Sequence, residues 1–159
     1  GQPFIEAIRQ FSYEVGRENR VFIHVCLVPY ISGSDEYKSK PTQHSVKDLR
    51  EAGIQPNIII CRCDAEIPES IRAKIALFCD VKSDCVINNL TAPVLYEAPI
   101  MLEKENFSEV VCRELGLTAV TARVIEKNTR SRRVLEKVGF AFVRQENGFL
   151  HYRCEKISR

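Results

Sequence analysis

The sequence predicts an α/β fold: a three-layer, mainly parallel, Rossmann-like sheet that a C-terminal strand, helix and hairpin extend or cap. Three observations lead there. The apolar runs Val21–Val28 and Asn57–Cys61 hardly alternate, as strands covered on both faces do. Segments of helical periodicity are interleaved with them, the order that builds parallel sheets. After Leu117 the pattern changes to alternating strands around Asn147-Gly148, a strong two-residue hairpin signal.

Element by element, Phe4, Ile5, Ile8, Phe11 and Val15 recur at helical spacing, and Gly16 stops the helix they define over about residues 3–15. Val21–Val28 is the first strand. Residues 29–41 are polar and read as a loop. A helix over about 42–52 follows, stopped by Gly53, and Asn57–Cys61 is the second strand. Pro68 fits a first helical turn, with Ile71, Ile75 and Phe78 as the inner face of that helix. Cys85–Ile87 is a short third strand. Pro93 and Pro99 break the next stretch, and Asn106 with Glu109 has the form of a capping box for a helix that Gly116 ends. In the tail, Ala119–Ile125 reads as a strand. Asn128 caps a helix carrying Val134, Leu135 and Val138, and Phe140–Val143 and Phe149–Cys154 form the hairpin.

Composition narrows the class. The chain has 159 residues, 45% hydrophobic and 28% charged, which excludes disordered, collagenous and coiled-coil proteins. No apolar run approaches the roughly 18–20 residues of a membrane span. A net charge of +2 argues for neither a nucleic-acid nor a membrane partner. Gly1-Gln2-Pro3-Phe4 has no basic segment leading into an apolar stretch, so the expected location is the cytoplasm. The seven cysteines, an odd number, are expected as reduced thiols. Cys61-Arg62-Cys63 is too short for a zinc knuckle, His24, His44 and His151 show no ligand spacing, and no metal is expected. His24 lies within a strand and is expected as a hydrogen-bonded core histidine. Arg130, Arg132 and Arg133 read as a solvated helix face.

One polar stretch carries candidate chemistry. Lys38-Ser39-Lys40-Pro41-Thr42-Gln43-His44-Ser45 places two lysines just before an expected helix N-terminus, where outward N–H groups favour anions. A phosphate site and a solvated basic loop both fit these residues. No Gly-x-x-x-x-Gly-Lys-Ser/Thr sequence occurs in the chain.

The segments Gln2–Gln10, Lys38–Val46, Gly53-Ile54-Gln55-Pro56 and Lys74–Cys79 closely resemble the later half of the amidoligase domain of CTP synthase, over about residues 2–117. That family converts UTP to CTP: ATP phosphorylates the uracil O4, and ammonia from glutamine displaces the phosphate. The resemblance implies that Lys38, Ser39, Lys40, Pro41, Thr42, Gln43 and Lys74 bind UTP, and CTP as product inhibitor. It also implies a site shared between subunits of a homo-oligomer. Ser39 stands where the family has Thr. The stretch Leu90–Ala92 corresponds to the region near the family's adenine pocket but matches poorly. ATP and Mg²⁺ belong to the family's P-loop and acidic residues, which precede the segment matched here, so no cofactor is expected on these residues and no catalytic residue is assigned.

The tail, about residues 118–157, resembles the C-terminal part of a GNAT-type N-acetyltransferase through Asn128–Phe140. That resemblance implies Asn128 and Ser131 beside the pantetheine of acetyl-CoA, with Leu135 where many members carry a tyrosine acid. Two fragments, 1–117 and 118–159, are thus expected to pack into one composite domain. The resulting expectation is a truncated or chimeric protein without complete catalytic activity that retains weak UTP/CTP binding. The alternatives are CTP synthesis with the missing parts supplied in trans, acetyl-CoA-dependent N-acetyl transfer, and a purely structural chain.

Overall fold

Three parallel strands, β1 (Ile23–Leu27), β4 (Ile58–Cys63) and β5 (Val86–Leu90), form the centre of the first of two units in the computed structural model, in the order β1-β4-β5. The structure describes residues 1–34 and 36–155. The units are Gly1–Leu115 and Gly116–Arg159. Pairing is in simple register, with Cys26 opposite Cys61 and Cys61 opposite Asn88. Parallel neighbours need crossover connections, and α2 (Lys40–Glu51) and α3 (Glu69–Cys79) supply them.

The alternation along β4 explains both faces of this sheet. Ile59, Cys61 and Cys63 pack with Val46 of α2 and with Ile75, Ala76 and Cys79 of α3. Ile58 and Ile87 pack with Leu102 of α4 (Ala98–Lys104) and with Phe107 and Val110 of α5 (Phe107–Glu114). Helices therefore lie on both faces of β4 and β5, the three-layer arrangement expected.

β1 departs from that expectation. Cys26 is buried, but Val25 and Leu27 on the other face are 55% and 63% exposed. The strand is the outer member of the sheet, and α4 and α5 cover only its neighbours. The stripe on α1 (Gln2–Val15) is likewise bare, with Phe4, Ile8 and Phe11 exposed while Ser12 is buried. Periodicity gave the helix correctly but not the direction its apolar side would face. On α3, Ile75 is buried as expected, whereas Phe78 is exposed and Cys79 takes its place in the core.

Four local readings are corrected. The 29–41 loop contains a short antiparallel pair, β2 (Tyr30–Ile31) and β3 (Glu36–Tyr37), and α2 starts at Lys40. Pro68 is the residue before α3 rather than in its first turn. Pro99 starts a helix, α4, instead of breaking the chain, because the first turn has no need of its missing N–H. The Asn106–Glu109 box does not form. Asn106 is left-handed at φ 57°, and the Glu103 carboxylate accepts the Ser108 N–H at 3.2 Å.

In the second unit, β6 (Val120–Ile125), β7 (Ala141–Glu146) and β8 (Phe149–Cys154) pair antiparallel in the order β6-β8-β7. The hairpin is where Asn147-Gly148 places it. Both residues have positive φ, 50° and 78°, as the two central positions of a type I′ turn require. α6 (Thr129–Lys137) is capped as expected: Asn128 Oδ1 accepts the Ser131 N–H at 3.1 Å. Leu135 packs against Val124, Leu150 and Tyr152.

Ile59 has no exposed surface and touches the core between both crossover helices. Ile59→Ala should lower unfolding free energy by about 3 kcal/mol, read from urea denaturation at unchanged m-value.

Candidate functional site

The carboxyl ends of parallel strands are where loops converge in open α/β sheets. Here the ladder of β1 runs one residue past the strand, with the Val28 N–H donating to Arg62 O at 2.9 Å. The chain then forms the β2–β3 hairpin, closed by Lys38 N–H to Pro29 O at 2.9 Å and by the Tyr30 and Tyr37 rings at 5.1 Å. It enters α2 directly. The loops after β4 and β5 are tied on the same edge by Thr91 Oγ1 donating to Asp64 Oδ1 at 2.8 Å.

The start of α2 is fixed from below. Thr42, fully buried, donates its hydroxyl to Leu27 O at 3.2 Å, which binds the first turn to the end of β1. Ser39 is buried before the first turn, and Gln43 Nε2 donates to its hydroxyl at 3.0 Å. Pro41 occupies the first turn, where its fixed φ suits the helix. Lys40 is exposed on that turn. The six residues Lys38–Gln43 thus divide. Ser39, Pro41, Thr42 and Gln43 hold the turn, and Lys38 and Lys40 carry its charge.

Lys38 forms an ion pair with Glu36 of β3. The Lys38 ammonium, followed by the Ser34 hydroxyl, holds the Glu36 carboxyl below the usual carboxylate range, and the charge of Lys74 on α3 adds to the effect. Lys38 and Lys74, 36 positions apart in the sequence, therefore act on one carboxylate, Lys38 by direct pairing and Lys74 by its charge. Glu36 is the member of this cluster that sequence reasoning missed. Its only signal was a carboxylate two residues before a lysine across a hairpin. Among the described residues neither Lys40 nor Lys74 has an ion-pair partner.

His24 is held by Ser45, with Nε2 and the hydroxyl 2.9 Å apart, and burial pushes its pKa down. Among the buried thiols the hydrogen bond with Cys61 lowers the pKa of Cys26, and the others are raised. Burial pushes Cys79 and Cys85 up to about 11, and a hydrogen bond with Cys26 pushes Cys61 up. Among the described residues no cluster of three or more His, Cys, Asp or Glu could hold a metal ion, and no helix is long and apolar enough to cross a membrane.

In the second unit, Asn128 and Ser131 share the wall of a recess of about 680 Å³ with Ile125, Val134 and Phe149. The Asn128 carbonyl is engaged in capping α6. Arg132, expected as solvated, is half-buried and donates from Nε to the Tyr152 hydroxyl at 3.4 Å.

Residues 1–117 match the family described as CTP synthase N-terminus. The CTP synthase of Symbiobacterium thermophilum is 57% identical over 127 residues, 79% of this chain and 24% of the relative. That of Ruminiclostridium cellulolyticum is 56% identical over 115 residues, 72% of this chain and 22% of the relative. The chain thus spans about a quarter of the length of the curated relatives it matches.

The lowered pKa of His24 fixes a pH dependence. Below its ordinary value of about 6.5 the unfolded chain binds the proton and the folded chain resists it. The contribution of His24 to stability is therefore full above that pH and falls as the pH drops toward the folded value. Urea midpoints at pH 7.5 and 5.5 should differ in the native sequence, and the difference should shrink in His24→Gln.

Proposed function

The chain belongs to the CTP synthase N-terminal family, and on that premise we propose that Lys38–Gln43 with Lys74 binds the phosphates of UTP and CTP. The observation that carries this reading is convergence. Lys38, paired with Glu36, and Lys40 stand at the start of α2 beyond the carboxyl end of β1, and the charge of Lys74 on α3 reaches the same carboxylate. Helix N-termini and ammonium groups both stabilise phosphate oxygens. Glu36 occupies Lys38 in the free chain, and an entering phosphate takes its place as the partner of that ammonium. Ser39, Pro41 and Thr42 position the turn, and Lys40 and Lys74, which have no ion-pair partner among the described residues, supply charge. A second copy of the chain completes the site around the remainder of the nucleotide.

Phosphoryl transfer from ATP asks for more: a cradle of backbone N–H groups and Mg²⁺-bound acids to stabilise the transferring group. The reading for Lys38–Gln43 with Lys74 is nucleotide binding.

Titration of ¹⁵N-labelled protein with UTP should shift the amides of Lys38–Gln43 and of Lys74 in the millimolar range. Lys40→Ala and Lys74→Ala should each weaken binding about tenfold, the loss of one charge-assisted contact. Absence of shifts at these residues at millimolar UTP would refute the proposal.

The recess beside Ser131 favours a second reading, in which the second unit takes the pantetheine arm of acetyl-CoA. Acetyl-CoA should then shift Ser131, Val134 and Ile125, and Ser131→Ala should reduce the affinity while Asn128 still caps α6. Unmoved resonances at millimolar acetyl-CoA would end that reading.

A further inference from the structure

At the amino end of the same parallel sheet, opposite the lysine cluster, lies a recess of about 500 Å³. Its walls come from the end of α1, the turn Gly16–Arg20, and the connection from α2 to β4. Ser12, Gly16, Arg17, Arg20, Gln55 and Asn57 line it. Two arginines in it have no ion-pair partner among the described residues. Arg20 is fixed in place, its guanidinium 4.6 Å above the Phe22 ring, yet its Nε is buried without a hydrogen-bond partner. Asn57 accepts the Phe22 N–H on Oδ1 at 3.0 Å, which leaves its amide NH₂ as a donor. Gln55 gives its NH₂ to the carbonyls of Pro56, Cys79 and Asp80 and serves as wall.

The other charges nearby are accounted for. Arg9, which packs beside Gly53, is paired with Glu6 at 2.6 Å. The Glu18 carboxylate lies against Gly16 and accepts from Asn19 Nδ2 at 3.3 Å. Arg17 and Arg20 against Glu18 leave a net positive recess. At Gly16, with φ 81°, a Cβ would sit 2.5 Å from Glu18 Oε1, so a side chain there would force that carboxylate to move.

We propose that this recess binds a phosphate monoester, held by Arg17, Arg20 and the Asn57 amide. Guanidinium pairs suit phosphate because their planar donors engage two oxygens at once. A volume of about 500 Å³ leaves room for the esterified group beyond the phosphate. The site is separate from the one at Lys38. The two lie at opposite ends of β1, roughly 16 Å apart for a five-residue strand.

The test uses the full chain at fixed ionic strength, titrated with inorganic phosphate and with ribose 5-phosphate, against a chloride control. Amides of Gly16, Arg17, Arg20 and Asn57 should shift and saturate in the low millimolar range, with the monoester binding more tightly than free phosphate. Arg17→Gln, an exposed position, should weaken binding about tenfold, and Lys40→Ala should leave it unchanged. Arg20→Lys should weaken it while melting as the native chain does. Should that variant fail to fold, Arg17→Gln decides. Equal shifts with chloride, an unaltered affinity in Arg17→Gln, shifts confined to Lys38–Gln43, or a monoester no tighter than phosphate would each overturn the proposal.

Discussion

Parallel pairing of β1, β4 and β5 is the constraint on which the other features of the first unit lean. Strands that run the same way cannot be joined by tight turns, so a helix must leave the carboxyl end of one and return to the amino end of the next. That requirement puts the start of α2 beyond the end of β1, and with it Lys38, Lys40 and the buried Thr42. It also brings the 53–57 connection back to the amino end, where Asn57 bonds Phe22 and faces the turn that carries Arg17 and Arg20.

The polar atoms in the core serve this arrangement. Thr42 joins helix to strand, Ser39 is held by Gln43, and His24 finds Ser45. Each of these three side chains has a specific partner, as groups removed from water need. The thiols behave differently. Cys26, Cys61, Cys63 and Cys79 fill the layer between the sheet and α2 and α3 as small apolar side chains, and burial keeps Cys79 protonated. Their number in the sequence reflects packing rather than reactivity.

The apolar surface left bare on α1 and β1 shows how far periodicity reaches. Phe4, Ile8 and Phe11 share one side of a helix, and that spacing is a statement about the helix alone. Whether the side meets a sheet depends on how the helix is placed, and on α1 the buried position is Ser12 instead. The unbroken run Val21–Val28 likewise records apolar character on both faces of β1, while the helices available in this unit cover β4 and β5.

Local chemistry could be read from the chain directly. The alternation of helices and parallel strands, the Asn147-Gly148 turn, the Asn128 cap and the lysines at a helix start all depend on neighbours within a few residues, where backbone preferences and hydrogen bonds act. Folding decided what distance in sequence conceals. It brought the charge of Lys74 to bear on Glu36, placed the Thr42 hydroxyl under Leu27, and left Arg17 and Arg20 facing a recess with no ion-pair partner among the described residues. Those relations arise from the crossovers and from which faces the helices cover. They are long-range packing outcomes, which no short window of residues encodes.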